Sequence, residues 1–316
     1  MKTVVFSTGG AYLTAMLGML DQLSERLEGA DSFAGISAGA IIAAFCATRP
    51  ISQAVTQLKG ILVDHIQDAI KPHYKYLNMP LSALFQKSIL DDSGLVSILK
   101  QELDGKPLLA TLYIGLTNET TMNYELHEFR PREKPKGGLS LSQAVHGSSS
   151  VPVVFEGETT TDFHYSDGGV FHQIPVLAIE RMLERASQEE KAALDLTIIS
   201  SSAWGYRPPV TETKLPYLAQ KTMHYLDCTN YNNLGSDREI LRESLALYKA
   251  VRVKFQMYSV PSKILRKLHA KFSIEQLTNI SMADIDHLLR LGKNVVLADS
   301  ATYSIDQDEP APILKY

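Results

Sequence analysis

Short apolar runs alternate with helical patterns over the first 48 residues, and this alternation restricts the fold more than any other feature. Residues 3–7 are β-rich and end in glycines, whereas residues 12–27 place leucine or methionine three and four positions apart. A second apolar run at 32–36 precedes small residues at 38–48. A strand and helix followed by a second strand and helix at this spacing indicate a βαβ unit, and therefore a parallel sheet.

The rest of the chain continues this pattern without an internal repeat, a low-complexity segment or a linker. Further strands are predicted at 108–117, 121–129, 160–166, 196–202 and 251–259. Further helices are predicted at 140–147, 175–187, 214–228, 236–250, 262–271 and 281–292. The last helix opens at Ser281 and Asp284, a relative of the capping box, and closes at Gly292. We therefore expect one α/β domain over residues 1–316, with a mostly parallel central sheet.

The composition excludes several classes of protein. With 45% hydrophobic and 21% charged residues, the chain of 316 residues is neither disordered nor collagen-like. A net charge of −4 argues against a general nucleic-acid binder, although it leaves room for a local basic patch. The longest apolar run, residues 33–47, is shorter than the ~20 residues that a membrane-spanning helix needs. Two cysteines, Cys46 and Cys228, are too few for a disulfide framework and indicate a reducing compartment, the cytoplasm. The apolar N-terminus is interrupted at residues 7–10 and fits a strand and turn better than a signal peptide, so we expect a soluble, unprocessed protein.

The motif G-x-S-x-G stands at the second strand-to-helix junction, with Gly35 and Gly39 on either side of Ser37. Such a tight turn brings the strand and helix backbones too close for side chains, and it pushes the serine hydroxyl outward. The N-terminus of the following helix favours negative charge that develops nearby. The pattern predicts a nucleophilic serine, and the alternative is a glycine-tolerant turn in a close-packed βα unit.

A second glycine-containing turn, Thr8-Gly9-Gly10-Ala11, follows the first strand. Neighbouring parallel strands end at the same edge of a sheet, so this turn is expected beside Ser37. Backbone N–H groups there are suited to stabilise a developing oxyanion. A phosphate-binding turn or a plain tight turn are the alternatives, but the dinucleotide fingerprint G-x-G-x-x-G is absent.

A third turn, Asp167-Gly168-Gly169, follows a predicted strand, which places Asp167 at the same sheet edge as Ser37. A lone D-G-G is otherwise typical of a plain turn.

The serine also needs a base, and the chain has nine histidines. His146, His164 and His172 flank Asp167, and His224, His269 and His287 fall in predicted helices; none lies on a clear strand-end loop after Asp167. Each of them is better explained as a surface or structural histidine than as a catalytic base.

These segments together resemble the patatin-like phospholipase family. The resemblance rests on the Thr8 turn with Gly18, on AGISAGAIIAAFCA at 34–47 and on DGGVFHQIPV at 167–176, in the family's order. The segments 143–157 and 88–103 are also similar, and the resemblance covers roughly residues 3–205. One turn departs from the family pattern, which usually reads G-G-G-x-R/K-G. Thr8, Tyr12 and Leu13 replace its first glycine, its basic residue and its last glycine.

The resemblance implies a three-layer α/β/α sandwich and a lipid acyl hydrolase of phospholipase A or lysophospholipase type. It implies Ser37 as nucleophile and Asp167 as general base without a histidine, and reaction through an acyl-enzyme. Gly9, Gly10 and Ala11 would form the oxyanion hole, and Gly168 and Gly169 complete the aspartate motif. The family generally needs no metal, and no cofactor is expected.

A lipid hydrolase must admit an acyl chain, and the apolar insertion at 50–105 is the candidate helical cap. Residues 206–316 are expected to complete the domain. The expected partners are a lipid or phospholipid substrate and, transiently, a membrane surface; the sequence does not indicate an oligomeric state. Two alternatives stay open at this point. One is an esterase or thioesterase that acts on soluble esters, and the other is a weakly active member that binds a lipid or a protein.

Overall fold

The computed structural model describes residues 1–69, 71–72, 88, 90–133, 138–152, 154–202, 217–248, 254–269 and 280–297. Its strands are β1 (Lys2–Phe6), β2 (Ser32–Ile36), β3 (Lys71–Pro72), β4 (Leu90–Asp91), β5 (Thr111–Asn118), β6 (Asn123–Phe129), β7 (Glu158–Thr159), β8 (His164–Asp167), β9 (Asp195–Ser200) and β10 (Lys254–Ser259). Its α-helices are α1 (Leu13–Leu27), α2 (Ala38–Thr48), α3 (Ile51–Ala69), α4 (Ser93–Leu103), α5 (Leu141–Ser149), α6 (Val176–Arg185), α7 (Gln188–Ala192), α8 (Tyr217–Leu247), α9 (Ser262–His269) and α10 (Met282–Leu297). Short 3-10 turns at Gly10–Tyr12 and Gly168–Val170 follow β1 and β8.

A central sheet joins eight of the described strands in the order β10-β9-β1-β2-β5-β8-β7, and β6 pairs with the other side of β5. The strands from β10 to β5 run parallel, whereas β6, β7 and β8 pair in antiparallel fashion. Strands β1, β2, β5 and β9 are almost continuously buried, as expected for parallel strands covered on both faces. The predicted α/β class with a mostly parallel central sheet is confirmed.

One hydrophobic core extends from Val4 in β1 to Val295 in α10. Helices α1, α2 and α5 pack against the strands of the sheet, and α10 packs along α1. None of the helices within the described ranges is long and apolar enough to cross a membrane.

The crossing of α1 and α10 depends on two glycines. A Cβ atom on Gly18 would overlap the carbonyl oxygen of Leu289, and one on Gly292 would overlap that of Ala15. The prediction that the last helix closes at Gly292 is therefore wrong: α10 continues to Leu297, and the glycine permits close packing instead of ending the helix.

The predicted start of that last helix is confirmed. The Asp284 N–H donates to the Ser281 hydroxyl at 3.2 Å, and the Ser281 N–H donates to the Asp284 carboxylate at 3.2 Å. Each side chain thus accepts a hydrogen bond from the backbone N–H of the other residue, as in a capping box.

The two helices predicted at 214–228 and 236–250 are one helix, α8. The residues between them are poor helix formers and include Gly235, which is why the sequence suggested a break. Leu234, Asp237 and Leu241 are fully or nearly fully buried along one face of α8. Tertiary burial of this face outweighs the weak local propensity.

The candidate cap is only partly described. Within residues 50–105, α3 packs against α1, α2 and α4, and its residues Ala54, Leu58 and Leu62 are buried in the core. Residues 73–87, which carry most of the apolar side chains assigned to the cap, lie outside the described ranges. The cap, and the assignment of residues 1–316 to a single domain, stay predictions.

In the C-terminal part, β10 extends the sheet beside β9 and α10 covers α1.

The glycine contact between α1 and α10 gives a stability prediction. Gly292→Ala is expected to lower the free energy of unfolding by about 1–3 kcal/mol, because the methyl group has no room against the Ala15 carbonyl. Gly60→Ala in α3 is the matched control, since a Cβ there meets no atom within 4 Å. The control should be neutral or slightly stabilising. Urea denaturation measures both, and equal effects at the two positions would contradict the account.

Candidate active site

Ser37 occupies the junction between β2 and α2 in a strained backbone conformation. Its φ of 58° and ψ of −130° are unusual for a residue with a side chain. The flanking glycines are required by space, because a Cβ on Gly35 would overlap the Gly39 carbonyl oxygen and one on Gly39 would overlap that of Ser7. The sharp turn predicted from G-x-S-x-G is therefore present, and Ser37 itself is 6% exposed.

A second serine, Ser148 in α5, fixes this turn. Its hydroxyl accepts a hydrogen bond from the Ser37 N–H at 3.0 Å and donates to the Gly115 carbonyl at 2.6 Å. Ser148 lies in the segment 143–157, for which the family resemblance implies no role of this serine. The bridge from β5 to the serine turn depends on tertiary contact, and no local pattern in the sequence indicates it.

Strands β2 and β8 bring Ser37 and Asp167 together. Residues 112–118 of β5 pair with β6 on one side, so β2 and β8 must share the other side. On that side Ile36 is opposite Gly115, and Asp167 is opposite the next residue, Leu116. The end of β2 therefore meets the end of β8, and the two candidate side chains become neighbours.

The Asp167 carboxyl group is buried and receives hydrogen bonds from two directions. The Ser37 hydroxyl donates to it, and the Gly169 N–H donates to Oδ1 at 2.7 Å. Burial raises the pKa of Asp167 to about 7, and these two hydrogen bonds offset the rise only in part. The Asp167 backbone is held as well, since its N–H donates to the Ser150 carbonyl and its carbonyl accepts from the Thr117 hydroxyl at 2.8 Å.

The turn at residues 8–11 lies against both halves of this pair. A Cβ on Gly9 would stand 3.6 Å from the Ala38 side chain, and one on Gly169 would stand 2.9 Å from the Thr8 methyl group. Gly10 has a positive φ of 48°, which only glycine adopts without cost. Among the described residues, the N–H groups of Gly9, Gly10 and Ala11 have no hydrogen-bond acceptor. The turn thus presents backbone donors beside Ser37.

The histidines near Asp167 are engaged elsewhere. His146 binds Asp92 through Nε2 at 2.8 Å and Glu158 through Nδ1 at 2.7 Å. His172 Nδ1 binds Asp237 at 2.6 Å. His164 binds the Thr159 hydroxyl at 2.8 Å. The side chains of His224 and His269 lie outside the described part, and His287 is exposed on α10.

The buried cluster around His146 predicts a change of stability with pH. Burial alone would lower the pKa of His146, but the carboxylates of Asp92 and Glu158 outweigh it and raise the pKa to about 9. A raised histidine pKa stabilises the fold fully below about 6.5, and this contribution is lost as the pH rises through about 9. We expect the free energy of unfolding to fall by roughly 2–3 kcal/mol over this window.

The same window distinguishes two variants. His146→Gln should be less stable than wild type at pH 6 and should not show this fall between pH 6.5 and 9. The exposed control His287→Gln should keep it. Denaturant titrations at several pH values measure the effect. If the free energy of unfolding of His146→Gln fell between pH 6.5 and 9 as much as that of the wild type, the assignment would be contradicted.

Comparison with known proteins identifies the family of the chain. A model of the patatin-like phospholipase family matches residues 4–179, which is more than half of the chain and includes the Thr8 turn, Ser37 and Asp167. No curated protein matches the sequence. Among solved structures, the crystal structure of VipD from Legionella pneumophila is similar, with 16% sequence identity and a TM-score of 0.42. That similarity covers 92% of this chain, which spans only 66% of the length of the VipD chain. By the match of the family model, the chain belongs to the patatin-like phospholipase family.

Proposed function

We propose that the protein is a lipid acyl hydrolase of phospholipase A or lysophospholipase type, with Ser37 as nucleophile and Asp167 as general base. One observation carries the proposal: the Ser37 hydroxyl donates to a buried carboxyl group whose pKa is about 7. A carboxylate of ordinary pKa, near 4, is a poor base at neutral pH. Raising that pKa to about 7 makes Asp167 a stronger base that is still ionised in a large fraction of molecules.

The proposed reaction has two halves. In the first, the Ser37 oxygen attacks the ester carbonyl carbon while its proton passes to Asp167. The resulting oxyanion accepts hydrogen bonds from the N–H groups of Gly9, Gly10 and Ala11, near the N-terminus of α2. The intermediate collapses to an acyl-enzyme, and the leaving alcohol takes the proton from Asp167.

The second half regenerates the enzyme. Water attacks the acyl-enzyme carbonyl and gives its proton to Asp167. The bond to Ser37 breaks, the fatty acid leaves, and the proton returns to the serine oxygen. Every proton transfer in both halves uses Asp167, so the scheme requires no histidine.

We place the substrate at a membrane surface that the enzyme visits transiently, and the enzyme in the cytoplasm. Cys46 is a free thiol buried in α2, and burial raises its pKa. A buried thiol of this kind is unreactive, and two cysteines are too few for the disulfide framework that is typical of secreted proteins.

Removal of either member of the pair should abolish hydrolysis. Ser37→Ala and Asp167→Asn are each expected to lower fatty-acid release from phosphatidylcholine vesicles by roughly a thousandfold or more, because one removes the nucleophile and the other its base. Ser236→Ala and Asp286→Asn are matched controls, since both residues are exposed, on α8 and α10 respectively. The controls should keep wild-type turnover.

The outcomes separate the proposal from its alternatives. Near wild-type turnover in either site variant would show that the mechanism is wrong. Turnover of short-chain esters that does not increase when micelles or vesicles form would identify a soluble esterase. Vesicle binding without release of fatty acid would identify a lipid-binding protein.

The pKa of Asp167 predicts a pH profile. The base acts only when ionised, and burial raises its pKa, so activity should be lost on the acid side. We expect kcat/KM to rise about tenfold per pH unit below pH 7 and to level off above it. Initial rates between pH 5 and 8.5 measure the profile. A flat profile down to pH 5 would indicate an unperturbed carboxylate and contradict the assignment.

A further inference from the structure

One side chain, that of Gln173, connects the turn at residues 8–11 to the turn that follows Asp167. The Thr8 hydroxyl donates to Gln173 Oε1, and the Thr8 N–H donates to the Gln173 carbonyl at 2.9 Å. On its other side, the Gln173 Nε2 group donates to the Gly169 carbonyl at 2.9 Å. The length of a single amide side chain therefore sets the separation of the two turns.

The Thr8 backbone is held from a third direction. Its carbonyl accepts hydrogen bonds from the hydroxyls of Ser7 and Ser201, each at 2.7 Å. The N–H, the hydroxyl and the carbonyl of Thr8 are thus all bonded. The next two residues, Gly9 and Gly10, are conformationally permissive, so the hydrogen bonds of Thr8 anchor the backbone of the turn and set its orientation.

A buried carboxylate in α8 supports Gln173 from behind. Asp237 is 0% exposed and accepts hydrogen bonds from the N–H groups of Gln173 at 2.6 Å and Ile174 at 2.9 Å. It also binds His172 Nδ1 at 2.6 Å. One turn earlier on the same helix, the Asn233 amide donates to the Val170 carbonyl at 2.8 Å. These contacts fix residues 170–174, which follow the turn at Asp167.

Asp237 and Asn233 lie beyond residue 179, where the family match ends. Helix α8 therefore contributes to the geometry of a site whose reactive groups all come from the matched part. Burial of a carboxylate is costly unless its oxygens are satisfied, and three donors satisfy this one. Such a group is suited to fix a backbone position.

We propose that Thr8, Gln173 and Asp237 form a positioning chain that sets the distance and orientation of the oxyanion donors relative to Ser37. The proposal rests on the proposed function. Oxyanion donors act only when they are held within about half an ångström of the productive position. This positioning chain connects α8, through Gln173, to the backbone of the turn. All three are positioning residues, since none of them is placed in contact with the reacting atoms.

The closing experiment removes the Thr8 hydroxyl without changing its shape. Thr8→Val should lower kcat for fatty-acid release from phosphatidylcholine vesicles by about tenfold or more and leave KM unchanged, because the misplaced donors weaken only transition-state binding. Thr8→Ser restores the hydroxyl and should recover kcat. Thr160→Val is the matched control: Thr160 lies between β7 and β8, outside the candidate cap, and its hydroxyl also donates to a backbone carbonyl, that of Phe163 at 3.1 Å.

A double-mutant cycle with Gln173→Leu tests the connection itself. If the two residues act as one unit, the double variant should lose no more kcat than the worse single variant. Asp237→Asn provides a second route when Thr8→Val is too unstable to assay, and it too should lower kcat at constant KM. The melting temperature of each variant is measured alongside.

The outcomes are distinguishable. Wild-type kcat in Thr8→Val, failure of Thr8→Ser to recover kcat, or full additivity in the cycle would overturn the positioning chain and leave the proposed function standing. A wild-type protein that releases no fatty acid would overturn the proposed function and this inference with it.

Discussion

The geometry of the candidate site depends on how β2 and β8 divide one side of β5. Strand β2 pairs with β5 up to Gly115, and β8 pairs with β5 from Leu116 onward. This exchange between a parallel and an antiparallel neighbour leaves room for two chain ends at one point. Ser37 leaves that point toward α2, and Asp167 leaves it toward the 3-10 turn. A shift of either register by one residue would move its side chain to the other face of the sheet.

Burial at this point determines the chemistry that the pair is suited to perform. A carboxyl group removed from water resists ionisation, which is why the pKa of Asp167 rises to about 7. The same burial in a protein core would be purely destabilising. Here the Ser37 hydroxyl and the Gly169 N–H compensate part of the cost, and the base strength that results is what a serine without a histidine partner requires.

Local patterns in the sequence predicted the elements that carry the site but not the contacts that fix it. Alternating apolar runs placed β1, β2 and their helices within a residue or two, and glycines that flank a serine identified a turn whose strain the structure shows. The bridge from Ser148 and the chain through Gln173 to Asp237 join residues more than 60 positions apart, and polar tertiary contacts leave no periodic signal. The break predicted within α8 failed for a related reason, because burial of one helix face outweighs local propensity. The catalytic roles of the site residues and the candidate cap stay predictions.

The proposed mechanism depends on activation of the Ser37 nucleophile by Asp167 alone. Incubation with a fluorophosphonate, followed by peptide mass spectrometry, tests it most directly, because the reagent forms a covalent bond only with an activated serine. A single adduct is expected on the peptide that contains Ser37 in the wild type, and a strongly reduced rate of labelling is expected in Asp167→Asn. An adduct on another residue, or equal labelling of Ser37 in Asp167→Asn, would contradict it.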